Sequence, residues 1–179
     1  MLGRLHLFLL RVYERLPRFA RRRVVRTMSP SFTVGAMCFI ERDDGALLLV
    51  RQVYRSHWGV PGGLLRRNEL PGDGARREVF EEVGLSIDLV GEPAVVVDPE
   101  PRRVDVVYRA RPAPGSDAES TAPCSPEIVE ARWFRPDELP ELQHEATGAL
   151  VALARVSQAP PAQPMQIPGL AAPRITHRP

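Results

Sequence analysis

The sequence predicts an α/β domain, and three observations carry that prediction. Thr33 to Glu41 and Ala46 to Gln52 are apolar, β-branched runs flanking Arg42-Asp43-Asp44-Gly45, the pattern of two strands joined as a hairpin. Ala75 to Val83 sets Val79 and Val83 on one stripe and three carboxylates on another, which is helical spacing. Leu142, Ala146, Ala149, Leu150 and Leu153 fall on one side of Leu142 to Val156, which reads as a closing helix.

Further strands are expected at Ser86 to Val90, Ala94 to Asp98, Val104 to Ala110 and Glu130 to Phe134. The helix at Ala75 has a start and a stop. Gly72-Asp73-Gly74 supplies a turn with Asp73 as the expected N-cap, and Gly84 stands where a left-handed C-cap is usually glycine. Arg111 to Pro126, with four prolines and Gly115, is a long loop, and a loop of that length inside a compact domain is often functional.

The 179 residues, 44% hydrophobic, suffice for one core, and no repeat is visible. Three segments follow: an Arg-rich amphipathic extension at 1–30, a domain at 31–157 and a Pro-rich tail at 158–179. In the extension Leu2, Leu5, Leu9, Val12 and Leu16 recur at three and four residues, Pro17 breaks the pattern, and a second helix is expected from Pro17 to about Met28. Eight arginines against Glu14 give residues 1–30 a charge of +7, so within the total of +2 the remainder carries −5. A basic stripe of this kind packs on the domain or on a second copy in a homodimer, or lies on an anionic membrane surface; nucleic acid fits less well because few aromatics interleave the arginines.

Cys38 and Cys124 are too few for a disulfide framework or a metal site and are expected as free thiols. The run Leu7 to Leu10 is too short for a membrane span or a signal-peptide core, so a cytoplasmic, or membrane-peripheral, protein is expected.

Glu78, Glu81 and Glu82 stand at i, i+3 and i+4, projecting three carboxylates from one helix face. Like charges at that spacing destabilise a bare helix. A hard divalent cation with oxygen ligands offsets the repulsion, Mg²⁺ first and Mn²⁺ next.

Gly63, Glu69, Arg77, Glu78, Glu81, Glu82 and Gly84 also fill the pattern G-x5-E-x7-R-E-U-x-E-E-x-G-U, with Val79 and Leu85 at the apolar U positions. This resembles the signature of the Nudix hydrolases at every fixed position. The resemblance implies a mixed β-sheet sandwiched between helices, and Mg-dependent cleavage of a diphosphate linkage in a nucleoside diphosphate joined to another group. It further implies Glu78, Glu81 and Glu82 as metal ligands, one of which serves instead as base for the attacking water. Arg77 would orient the carboxylates, and Glu69 would support the loop or a metal from behind its direct ligands. An acid from a later loop often completes such sites, and Glu127 is the best placed. Trp58-Gly59-Val60-Pro61-Gly62-Gly63 is similar to the family's approach to its signature; there Gly62 and Gly63 allow close approach of backbone to phosphate, and Trp58 is either a core residue or part of the substrate mouth. His57, Asp98 and Glu100 are weaker candidates for the same cleft.

The expected function is hydrolysis of a nucleotide sugar, ADP-ribose, a dinucleotide or a nucleoside triphosphate. Two alternatives compete: a binding or regulatory module on the same fold without catalysis, and a membrane-peripheral or RNA-associated hydrolase recruited through residues 1–30.

Overall fold

In a computed structural model of the chain, the structure describes residues 11, 13–28 and 31–158, without the side chains of residues 22, 24, 26 and 28. Leu2, Leu5, Leu9 and Val12 of the N-terminal stripe lie outside the described residues, as does the tail from 159 onward. The elements are α1 (Arg18–Met28), β1 (Thr33–Ile40), β2 (Leu47–Gln52), β3 (Gly62–Leu64), α2 (Pro71–Val83), β4 (Ile87–Asp98), β5 (Arg103–Pro112), β6 (Ile128–Phe134) and α3 (His144–Gln158).

Four strands form a mixed sheet in the order β3-β1-β5-β4, in which β1 runs parallel to β5 and antiparallel to β3. β2 and β6 form a separate antiparallel pair. Strand alternation explains how one set of strands serves two helices. Ala36, Cys38, Ile40, Leu48, Val50 and Ala110 point to one side and bury against Ala75, Val79 and Val83 of α2. Phe39, Leu49 and Val107 point to the other and bury against Ala149 and Leu153 of α3. Strands buried on both faces read as continuous apolar runs. The expected helix–sheet–helix sandwich is therefore observed. Cys38 sits within the first core, where burial pushes its thiol up to about 12, so it is a packing residue and an inert one.

Three expectations need correction. The hairpin at Arg42–Gly45 closes, with Arg42 N–H donating to the Ala46 carbonyl at 2.9 Å, yet its strands pair only at Glu41 and Leu47 before they separate. Beyond that bridge β2 takes β6 as partner, from Leu47 with Phe134 to Gln52 with Ile128, while β1 takes β3 and β5. Asp73 is not the N-cap of α2. The helix begins earlier, at Pro71 after an extended Leu70 with no side-chain cap, because proline at the first helical position is preorganised and has no N–H to satisfy. Asp73 falls in the first turn instead, 3.7 Å from Arg76. Finally, the two strands expected at residues 86–98 are one strand, with its register shifted between Val90 and Ala94 where Gly91 turns to φ 70° and Pro93 lacks a donor.

The break expected at Pro17 is present, and α1 follows it with Phe19 76% exposed. No helix among the described residues is long and apolar enough to cross a membrane.

α2 ends as expected, at Gly84 with φ 70° and its N–H on the Phe80 carbonyl at 2.9 Å. A Cβ there would also sit 3.1 Å from Cys124 Sγ. Gly84→Ala is expected to lower stability by about 1–2 kcal/mol, the cost of a left-handed non-glycine residue, read in urea titration as a lower midpoint at unchanged slope. An unchanged midpoint would show that this cap is dispensable.

Candidate active site

The carboxylates of α2 reach the site through Arg77. Its guanidinium donates from Nε to Glu69 Oε1 at 2.7 Å and from Nη2 to Glu69 Oε2 at 2.8 Å, a bidentate pair. Nη1 meets Glu78 at 2.7 Å and Glu81 at 3.1 Å, and Nη2 also reaches the Leu64 carbonyl at 3.3 Å. One cation thus offsets the like-charge crowding of the helix and ties it to the loop after β3. Glu69 closes that loop by accepting the Arg66 N–H at 2.7 Å, and Arg77 above all holds its carboxyl down at about 2.

Glu82 is placed differently. It is 6% exposed, accepts the Gly62 N–H at 3.1 Å, and among the described residues has no cationic side chain bonded to it. Burial first, then the charges of Glu78 and Glu127, push its carboxyl up to about 8 against the pull of the Gly62 hydrogen bond.

Glu78, Glu82 and Glu127 line one cavity of about 430 Å³, together with Gly62, Gly63, Tyr54, Arg55, Arg103, Gln143 and Glu145. Both glycines have their Cβ space filled by protein. A Cβ on Gly62, at φ 153°, would overlap the Ala36 carbonyl of the neighbouring strand. One on Gly63 would lie 2.6 Å from the Glu78 carboxyl carbon. Their lack of side chains lets the helix carboxylates approach the sheet.

The other candidates separate. Glu81 is drawn to Arg66, at 2.7 Å, as well as to Arg77, and does not line the cavity. Trp58 packs edge-on against Phe134, ring centroids 4.8 Å apart, in the core beneath α3 and is not among the lining residues. His57 and Asp98 line a second depression of about 480 Å³ that shares Tyr54, Arg55, Gln143 and Glu145 with the first, so the two lie side by side. Glu100 lies in the β4–β5 turn, lining neither. The long loop instead packs on Trp133, whose Nε1 donates to the Ala118 carbonyl at 3.0 Å, and it reaches the cavity only through Glu127 at its end.

Sequence reasoning missed Tyr54, Arg55, Arg103, Gln143 and Glu145. Only Arg103 left a trace: it stands just before the strand expected at Val104 to Ala110, and on the observed β5, which begins at Arg103, it alternates with Asp105, so the two share a face.

Among the described residues no three acidic, histidine or cysteine side chains converge on one point, since Arg66 and Arg77 hold Glu81 and Arg77 holds Glu78. The donor set still suits a divalent ion. Its oxygens are hard ligands, and a buried carboxyl that is raised by two neighbouring carboxylates exchanges its proton readily for a cation.

The family profile described as the NUDIX domain matches residues 31–154. The chain is 31% identical over 119 residues to a MutT-like protein of Streptomyces ambofaciens, covering 66% of this chain and 74% of that one. It is 48% identical over 52 residues to diphosphoinositol polyphosphate phosphohydrolase 3-beta of Bos taurus, covering 28% of this chain and 32% of that one. Of solved structures, a NUDIX hydrolase from Nitrosomonas europaea superposes with a TM-score of 0.60 at 25% identity, covering 68% of this chain and 69% of that one. The fold and these relatives are those of a pyrophosphohydrolase. The chain belongs to the NUDIX family.

Between the ordinary carboxylate range and about pH 8 the folded chain keeps on Glu82 a proton that the unfolded chain has lost, so stability falls as pH rises through that window. In metal-free buffer the melting temperature is expected to fall from pH 5 to pH 8 more steeply for the native chain than for Glu82→Gln. Parallel curves would remove Glu82 as the source.

Proposed function

We propose that the chain hydrolyses the diphosphate linkage of a nucleoside diphosphate derivative with Mg²⁺ as cofactor, Mn²⁺ serving in its place. Divalent ions serve hydrolases of this family. The observation that carries the reading is that Glu78, Glu82 and Glu127 line one cavity together with Arg55 and Arg103.

Glu78, Glu82 and Glu127 would hold the ion, with Glu81 supplying a further carboxylate from its place beside Arg66. A bound ion would neutralise the nonbridging oxygens and orient the attacking water. The chain's own residues do the rest. Arg77 fixes the carboxylates, Glu69 fixes Arg77, and one of the glutamates serves instead as the base that takes the water's proton. Two depressions side by side support a substrate with a group on each side of the diphosphate, as in nucleotide sugars, ADP-ribose and dinucleotides, and nucleoside triphosphates stay within the same reading. A second reading concerns place: the exposed Phe19 and Val25 on a helix bearing Arg18, Arg21 and Arg23 support recruitment of a cytoplasmic enzyme to an anionic membrane surface.

The test is a screen of those four substrate classes with Mg²⁺ and with Mn²⁺, products identified by phosphate position. Cleavage within the diphosphate is expected, and no cleavage of any class would overturn the reading. Glu82→Gln should remove turnover in a folded protein, whereas Arg77→Ala, acting through its carboxylate partners, should lower it by about 10- to 100-fold. The reverse order would place Arg77 on the substrate.

A further inference from the structure

β5 carries an ion pair into the cleft that the carboxylate site does not use. Arg103 Nε donates to both oxygens of Asp105, at 2.9 Å and 2.8 Å, and Asp105 is 7% exposed. The pair lies over Gly35, its register neighbour on β1. A Cβ on Gly35 would overlap Asp105 Oδ1 and sit 2.9 Å from Arg103 Nη2. Glycine at this point of a central strand leaves the room that the pair occupies.

All of Arg103's bonding to protein runs through Nε. Neither terminal nitrogen meets an acceptor among the described residues, although the side chain lines the same cavity as Glu78, Glu82, Glu127 and Glu145. Arg55, the other cation of the cleft, is already bonded to Glu145 at 3.1 Å. A guanidinium anchored through Nε, on a side chain that lines the cavity and with two amino nitrogens that meet no acceptor among the described residues, leaves those nitrogens for two oxygens of a phosphoryl group.

We infer that Arg103, positioned by Asp105 over Gly35, binds a phosphoryl group of the substrate and sets its place along the cleft. The inference rests on the diphosphate reading above and adds to it a residue that selects for an anionic group beside the metal-binding carboxylates. A substrate carrying charge at that position gains from Arg103, and one carrying a neutral group there does not. Asp105 touches no substrate; it is a positioning residue that restricts the rotamers of Arg103.

The test is calorimetric binding of imidodiphosphate, a non-hydrolysable diphosphate, with saturating Mg²⁺, alongside KM and kcat on the best substrate of the screen. Arg103→Gln should weaken imidodiphosphate binding about 10- to 100-fold, the range for a lost hydrogen bond to a charged group. It should raise KM more than it lowers kcat, and Arg103→Lys should recover part of the loss. Asp105→Ala should weaken binding in the native background and have no added effect on top of Arg103→Gln, since a residue acting only through Arg103 has nothing left to position. Binding by Arg103→Gln within twofold of native overturns the proposal, as does an additive effect of Asp105→Ala on Asp105's part. Failure of the hydrolysis reading looks different: native chain that binds imidodiphosphate through Arg103 yet cleaves nothing in the screen would keep this site and remove the reaction.

Discussion

A single guanidinium holds this site together. α2 must present Glu78, Glu81 and Glu82 within one turn, an arrangement that like-charge repulsion opposes at every pairing. Arg77 sits on the same helix, half-sunk between it and the loop after β3, and bonds Glu69, Glu78 and Glu81 at once. The loop's path, the helix's tilt against β3 and the direction of two glutamates therefore depend on one side chain. Glu82 escapes this network, and its environment differs accordingly: Glu69, saturated by Arg77, is a permanent anion, whereas Glu82, buried near other acids, is poised to take a proton or a cation.

Local chemistry was readable from the sequence where spacing alone decides the outcome. The stripe of Val79 and Val83, the left-handed cap at Gly84 and the apolar strands all stand where their periodicity puts them. Where several partners compete, sequence could not arbitrate. Arg42 to Gly45 is sufficient for a turn, and the turn forms, but the identity of each strand's neighbour is decided by β5 and β6, more than fifty residues downstream. Asp73 is not the cap because the helix starts earlier, at Pro71 after an uncapped Leu70; two adequate start signals lay two residues apart and the proline acts first in the chain.

The site was legible in the same uneven way. Of its acids, Glu78 and Glu82 lie in one contiguous motif, while Glu127 and Glu145 come from far downstream. Its basic half lies in no motif: Arg55 comes from the loop after β2 and Arg103 from the first residue of β5, and neither has a neighbour in sequence that announces a site. Trp58 illustrates the converse, since an aromatic next to a glycine-rich approach is equally compatible with core and mouth until Phe134 is placed beside it.

The parallel pairing of β1 with β5 aligns Thr33 with Arg103 and Gly35 with Asp105. Contacts so far apart in the chain close late and at high entropic cost. A nascent chain that has emerged through residue 85 holds the whole signature motif, with its helix and its glutamates, but has no strand to lie beside β1 on the side away from β3. The carboxylates then have β3 beside them but lack Arg103 and Glu127 of the same cavity. Competence of the cleft arrives with the second half of the polypeptide, so the shortest piece of sequence sufficient to recognise the family is much shorter than the shortest piece able to assemble the cleft.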